Sequence, residues 1–284
     1  MARKFGPLKW KGYELPLHKR TLIMGVLNLT PDSFFDAGRY YDPDEAIVRA
    51  QEMVEQGADI IDIGGESTRP GAEPVQEEIE LARILPVIRR LVGEIEIPLS
   101  VDTYKSGVAS RALREGAAMI NDISGFHFDP QMPQVIAEFQ VPVVVMHTAG
   151  KPKTMQQHAC YQELINDIIA YLEEGVQVGL AAGISPDKFI IDPGLGFGKT
   201  RANNLRILRE LPQFQSLDKP IMIGASRKSF IGKVLDLPLE ERLEGSLAAA
   251  AVAIFNGANI IRTHDVKETR RVAMMVDAIL GWAV

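Results

Sequence analysis

"GADIIDIGGEST", residues 57–68, opens on a glycine, passes through a nearly unbroken apolar stretch and ends on polar side chains. A glycine just past a helical pattern supplies the left-handed residue that ends a helix. Apolar side chains at almost every position of a short run predict a strand buried on both faces, as in a parallel sheet. The same Gly-Ala step recurs at Gly116-Ala117 and Gly257-Ala258. Comparable runs are "TLIMGVLNL" (21–29), "IPLSVDT" (97–103), "AAMINDIS" (117–124), "VPVVVMH" (141–147), "FIIDPG" (189–194), "PIMIGAS" (220–226) and "ANIIRTH" (258–264). Between them lie helical patterns. "DPDEAIVRAQEMVEQ" (42–56) begins with acids suited to a helix N-terminus, and "EEIELARILPVIRRLV" (77–92) and "ETRRVAMMVDAILGW" (268–282) carry apolar faces.

Eight β–α units without a linker predict an α/β protein, a single (β/α)8 TIM barrel spanning residues 20–284. A doubly wound open sheet shares the alternation, and the count of eight favours the barrel. Residues 1–19 form a short N-terminal extension, in which residues 5–18 alternate loosely and predict a hairpin capping the barrel bottom.

Composition narrows the function. The chain of 284 residues has a net charge of −6, which argues against a general nucleic-acid binder. Its one cysteine, Cys160, rules out an internal disulfide framework and fits a reducing compartment. It lies in a helical stretch and reads as a packing residue. The N-terminus has charge but no apolar core, and "LAAAAVAIF" is too short to cross a bilayer, so the cytoplasm is the expected location.

In such a barrel the chemistry sits at the C-terminal ends of the strands. Those ends carry Asn28, Asp62, Asp102, Asn121, His147, Asp192, Ser226, Lys228, Arg262 and His264. Taken singly, each fits a barrel hydrogen-bonder or a helix cap, and Asp62 and Asp122 keep that reading. Together, Asp102, Asp192, Asn121 and Lys228 can match the edge of a flat 2-amino-4-oxo heterocycle: carboxylates accept from amino-amidine groups, an amide does both, and a lysine donates to a carbonyl. Thr68, Arg69, Arg262 and His264 are donors suited to a phosphate or pyrophosphate. Asn28 is an oxygen ligand acceptable to Mg²⁺, which takes few protein ligands when phosphates are present. His147 has no assignable partner, and five scattered histidines make no metal-hydrolase cluster. "IIDPGLGFGKT" (190–200) is not a phosphate-binding loop, because the glycine required at 193 is Pro193.

In order, "MGVLNLTPDSFFDAGRY", "DIGGESTRPGA", "SVDTYKSGVA", "MINDISG", "IIDPGLGFGKT", "GASRKSFIGK" and "IRTHDV" resemble the motifs of the dihydropteroate synthase family, from about residue 20 to the C-terminus. The resemblance implies a cytoplasmic (β/α)8 transferase of folate biosynthesis, usually a homodimer and a sulfonamide target. That family joins 6-hydroxymethyl-7,8-dihydropterin pyrophosphate to 4-aminobenzoate, giving 7,8-dihydropteroate and pyrophosphate with Mg²⁺ as cofactor. It further implies that Asn28 holds the Mg²⁺ and that Asp102, Asn121, Asp192 and Lys228 read the pterin. Arg262 would stack on the ring and, with His264, hold the pyrophosphate. Thr68 and Arg69 would close over the substrates with the "TPDSFFDAG" loop. Phe34, Pro70, Phe197 and Ser229 would shape the aminobenzoate pocket. Arg69, Arg262 and His264 are thereby the expected catalytic set.

Under this reading the glycines of "DPGLGFGK" let the turn pass close to a flat ring, since glycine adds no Cβ, and Lys199-Thr200 simply begins a helix. The chain departs from the family pattern at Thr148-Ala149-Gly150, where Met-Gln-Gly is common. Two rival readings remain: a pterin-binding barrel that passes a methyl group to a corrinoid protein, and a pterin-binding module without catalysis. The first lacks the pyrophosphate set, and retention of Asn28 and both loops argues against the second.

Overall fold

The computed structural model describes residues 5–30 and 42–282. All eight expected runs become parallel strands: β3 (Leu22–Asn28), β4 (Ile60–Gly64), β5 (Leu99–Asp102), β6 (Met119–Asp122), β7 (Val143–Met146), β8 (Phe189–Asp192), β9 (Met222–Ile223) and β10 (Ile260–Thr263). Their order is β8-β7-β6-β5-β4-β3-β10-β9, so sequence neighbours are spatial neighbours. An open doubly wound sheet would reverse that order part-way. Here it runs round to meet itself: Ile191 bridges Ile221 in parallel, and the Ile191 N–H donates to Pro220 O at 2.9 Å. The chain is a TIM barrel.

Burial explains the apolar runs. Ile60, Ile61, Ile63, Val143, Val144, Val145, Ile190 and Ile191 are all buried, half facing the barrel interior and half the helices. The outer layer is α1 (Pro43–Glu55), α2 (Glu77–Glu94), α3 (Ser106–Arg114), α4 (Met132–Phe139), α5 (Leu164–Ala181), α6 (Arg201–Arg209), α7 (Ser229–Leu235), α8 (Leu243–Phe255) and α9 (Val266–Ile279). The Gly-Ala steps end α1, α3 and α8. Gly57, Gly116 and Gly257 take φ of +96°, +109° and +104°, and the N–H groups of Ala58, Ala117 and Ala258 reach back to Met53, Ala112 and Ala253. That pairing satisfies the last helical carbonyls and turns the chain directly into the next strand. No helix among the described residues is long and apolar enough to cross a membrane.

Before the barrel, β1 (Leu8–Trp10) and β2 (Tyr13–Leu15) form an antiparallel hairpin. Its turn, Lys11-Gly12, has positive φ at both positions, the geometry that matches strand twist in a two-residue hairpin. The Trp10 indole donates to Ala118 O at 2.6 Å, and the Lys188 ammonium donates to Lys9 O at 2.8 Å. Ala118 and Lys188 immediately precede β6 and β8, so the hairpin lies at the N-terminal ends of the strands, away from the polar rim.

Cys160 departs from expectation. It is exposed and non-helical, between a 3₁₀ turn at Met155–His158 and the start of α5. The apolar stripe of α5 begins only at Leu164, so nothing draws the thiol inward.

Trp10→Ala removes a buried aromatic and its hydrogen bond, and should cost about 3–5 kcal/mol in a denaturant titration. Because the hairpin is at the opposite end from the polar rim, the folded fraction should keep its ligand affinity. A folded variant with altered affinity would contradict that separation.

Candidate active site

Every strand end that carried a polar residue in the sequence opens onto one rim. At its centre is Asp62, fully buried on β4. Its Oδ2 accepts from Arg262 Nε at 2.7 Å and from Asn121 Nδ2 at 2.9 Å. Arg262 Nη2 donates to Asp102 Oδ2 at 2.7 Å. Four strands are thus tied together across the mouth. The network is incomplete, however. Among the described residues, Asp62 Oδ1, Asp102 Oδ1, Asn121 Oδ1 and Ser100 Oγ are buried and have no hydrogen-bond partner. A buried polar atom left unpaired costs about 1–3 kcal/mol. Asp62 Oδ1 and Asn121 Oδ1 accept, as does Asp102 Oδ1 whenever its carboxyl is ionised, so the group they fit brings N–H or O–H donors.

The charges are finely set. Burial pushes the Asp102 carboxyl up to about 7, against the pull of Arg262 and with the help of neighbouring Asp62. Burial also raises Asp192, opposed by Lys228. Lys228 is brought down to about 8 by burial, with Asp192 resisting. Its ammonium donates to Leu195 O and lies 4.7 Å from the centre of the Phe197 ring. The Asp192 carboxylate accepts from Gly194 N at 2.7 Å, which fixes the turn after β8.

Beside this acid-rich centre is a cationic one. His264 Nδ1 lies 3.0 Å from Ser226 Oγ, and His264 Nε2 lies 3.5 Å from Asn28 Nδ2. Burial, followed by Arg262, Arg69, Arg227 and Arg49, lowers His264 to about 3, so its ring is neutral at physiological pH. Arg227, held at φ +52°, pairs bidentately with Asp265 at 2.9 and 2.8 Å and ties the "SRKS" turn to the end of β10. Such a concentration of arginine around a neutral histidine favours a polyanion.

The family of "Pterin binding enzyme" matches residues 24–264. The dihydropteroate synthase of Bacillus subtilis is 48% identical over 267 residues, 94% of this chain and 91% of that protein. The chain belongs to the dihydropteroate synthase family. Among solved structures, the Yersinia pestis dihydropteroate synthase with a sulfonamide drug has a TM-score of 0.94 and 42% identity, covering 97% of this chain and 99% of that one. The Xanthomonas albilineans enzyme with 4-aminobenzoic acid has a TM-score of 0.89 and 39% identity, covering 97% and 98%.

With the family in hand, the expected residues can be placed. Asp102, Asn121, Asp192, Lys228, Arg262, His264 and Asn28 converge on the rim. Thr68, Arg69 and Pro70 lie on the segment between β4 and α2, Thr68 and Arg69 half-buried and Pro70 exposed. Phe197 is half-buried on the turn after β8, and Ser229, the first residue of α7, is exposed. Phe34 and most of the "TPDSFFDAG" loop fall outside the described residues.

Three readings change. First, Lys199 does more than begin a helix. Thr200 does cap α6, accepting from Asn203 N at 3.1 Å. Lys199 instead turns back into the barrel, fully buried, with Nζ 2.8 Å from His147 Nδ1 and 3.0 Å from Phe197 O. Burial and Asp192 pull oppositely on it, and burial wins, lowering it well below the usual lysine range. Second, His147 therefore has a partner, and burial with that lysine keeps the imidazole neutral. Third, the glycines of the β8 turn are crowded by the protein's own chain. A Cβ on Gly194 would stand 1.9 Å from His147 O, and one on Gly198 would stand 2.3 Å from Ala149 Cβ. Ala149 is one of the residues that depart from the family pattern, and Thr148 Oγ1 closes its turn by donating to Gly150 O at 2.7 Å.

Asp102→Asn gives a test of the acid centre. An aspartate normally titrates near ~4, and Asp102 titrates near about 7. The folded state therefore binds this proton more tightly, and the stability it contributes is lost as pH rises through that window. The melting temperature of Asp102→Asn relative to wild type should climb from pH 4 to pH 8, as ordered by these two values. A difference that does not vary with pH would show that Asp102 is not held protonated by burial.

Proposed function

We infer that this chain is a dihydropteroate synthase in activity: it condenses 6-hydroxymethyl-7,8-dihydropterin pyrophosphate with 4-aminobenzoate, releasing pyrophosphate, in folate biosynthesis. The observation that carries the reading is the set of buried acceptors, Asp102 Oδ1 and Asn121 Oδ1, left without partners beside Asp192 and Lys228. A pterin edge presents amino and ring N–H donors to such acceptors and a carbonyl to the lysine.

Within this proposal Asp102, Asn121, Asp192 and Lys228 bind and orient the ring. Arg69, Arg262 and His264 receive the pyrophosphate, with Thr68 and Arg69 closing from the β4–α2 segment. Phe34, Pro70, Phe197 and Ser229 line the aminobenzoate side. The reaction is a substitution at the methylene carbon. Its C–O bond breaks with the electron pair leaving on pyrophosphate, and the dihydropterin ring spreads the positive charge. The arylamine lone pair then forms the C–N bond, and the amine proton passes to water. No strong base is needed. The catalytic residues stabilise charge on the departing group, which is electrostatic work done by preorganised donors.

The donor set also fits Mg²⁺. Among the described residues, no group of three or more His, Cys, Asp or Glu could hold a metal. Asn28 Nδ2 lies 3.5 Å from His264 Nε2, and its Oδ1 is the oxygen the side chain would offer a cation. A cation held by one amide oxygen and completed by substrate phosphate and water suits Mg²⁺. When bound, the metal supplies charge neutralisation of the leaving group. The methyl-transfer rival finds no use for the arginines around His264.

Incubating the purified protein with dihydropterin pyrophosphate, 4-aminobenzoate and Mg²⁺ should yield dihydropteroate. Excess chelator should abolish turnover and a sulfonamide should compete with 4-aminobenzoate. Absence of dihydropteroate would overturn the activity, and full turnover in chelator would remove the metal and the role of Asn28.

The proposal extends to a homodimer in the cytoplasm, where the exposed thiol of Cys160 stays reduced. Neighbouring helices α8 and α9 expose Val252, Phe255, Met275 and Ile279, with Phe255, Met275 and Ile279 more than half exposed. A second copy of the chain would cover them. In sedimentation experiments the wild type should run as a dimer and Phe255→Glu as a folded monomer. A variant that stays dimeric would move the interface elsewhere.

A further inference from the structure

The segment from Gly65 to Gln76 joins β4 to α2 and carries Thr68, Arg69 and Pro70. Its two stems meet at one buried cluster. Glu66, at the first stem, accepts at Oε2 from Val75 N (2.9 Å), at the second stem, and at Oε1 from Tyr104 OH (2.8 Å). Lys105 binds both stems and the following helix together, donating to Glu66 Oε2 at 2.6 Å, Val75 O at 2.7 Å and Glu80 Oε2 at 2.6 Å. All three ammonium protons are thereby used. Arg83 of α2 adds a bond to Gly65 O at 2.7 Å.

The apex is held differently. Gly71 N donates to Pro152 O at 3.0 Å, and Glu73 pairs with Lys153 where both side chains are more than half exposed. An exposed pair of that kind contributes little. The stems are thus bound through several buried hydrogen bonds, whereas Gly71 and Glu73 are bound through one backbone bond and one exposed ion pair. Two carboxylates around one ammonium are an expensive way to fill buried space, since desolvation offsets much of the attraction and apolar side chains would often serve as well. What the cluster provides that apolar packing does not is a fixed separation and direction for the two stems. Lys105 also follows Asp102 by three residues, so the clamp is continuous with the strand end that reads the ring.

We propose that Lys105 is a positioning residue: through Glu66 and Val75 it fixes the stems of the 66–75 segment so that Thr68 and Arg69 arrive at the barrel mouth in register with the substrates. The assignment rests on the synthase reading for the roles of Thr68 and Arg69. It concerns orientation alone, and Lys105 touches no reacting atom.

Two measurements test it. Hydrogen–deuterium exchange across residues 66–76 reads the clamp without turnover. Lys105→Met should accelerate exchange at Val75, whose N–H is bound to Glu66, while the melting temperature reports on the fold. Unchanged exchange overturns the clamp. Kinetics then read the consequence. A displacement of about 1 Å can cost about a hundredfold in rate, so Lys105→Met should lower kcat/KM by roughly ten- to a hundredfold while pterin affinity stays within about twofold. In an Arg69→Ala background the same substitution should cost less than about threefold, because residues acting through one element are not additive. An equal loss in both backgrounds, or no loss in either, overturns the proposal. If Lys105→Met does not fold, Tyr104→Phe, which removes only the hydroxyl bonded to Glu66, is taken through the same cycle with the same criteria. A wild type that makes no dihydropteroate would defeat the synthase reading, and the exchange result would still decide whether Lys105 clamps the segment.

Discussion

The carboxylate of Asp62 has no access to water, and the described side chains bonded to it come from other strands. Arg262 reaches it from β10 and Asn121 from β6, and Arg262 in turn holds Asp102 on β5. Removing one partner of a buried ion pair costs far more than the pair contributes, because the remaining charge is stranded. The rim is therefore fixed as a unit. Asn121 cannot rotate without releasing Asp62, and Arg262 cannot swing away without unpairing Asp102 and taking the countercharge from Asp62. The side chains proposed to read a flat ring are thereby held in place before a ligand arrives.

Adjacent placement of opposite charge gives the mouth two ends. Acids and unpaired acceptors gather at β4, β5, β6 and β8, while arginines gather around His264. A molecule with a donor-rich heterocycle at one end and a polyanion at the other can satisfy both at once, whereas either fragment alone satisfies one. The imidazole is kept neutral first by burial, and four neighbouring arginines add to the opposition to a further proton.

The barrel was legible because its signals are local. Apolar runs and the Gly-Ala steps each encode a backbone state within a few residues. The rim residues were legible for a related reason: a polar side chain at the end of a buried strand has one place to go. Partnerships were not. Lys199 follows a glycine and precedes a helix cap, a context that gives no hint of a side chain folding back to His147, 52 positions earlier. Asp62 read as a background acid because its importance lies in joining residues from three other strands. Cys160 was misplaced for the opposite reason, as a helical pattern was extended past the point where its apolar stripe begins.

Cys160 also has a neighbour of interest. Tyr161, the next residue, donates its hydroxyl to Gly198 O at 2.8 Å, in the turn that carries Phe197. The chain's single thiol is thus exposed and one residue from a side chain fastened to the wall of the candidate site. A spectroscopic label can be attached there without removing other cysteines, and its signal would follow that turn from outside the mouth. The natural sequence already contains the attachment point that a spectroscopist would otherwise have to engineer.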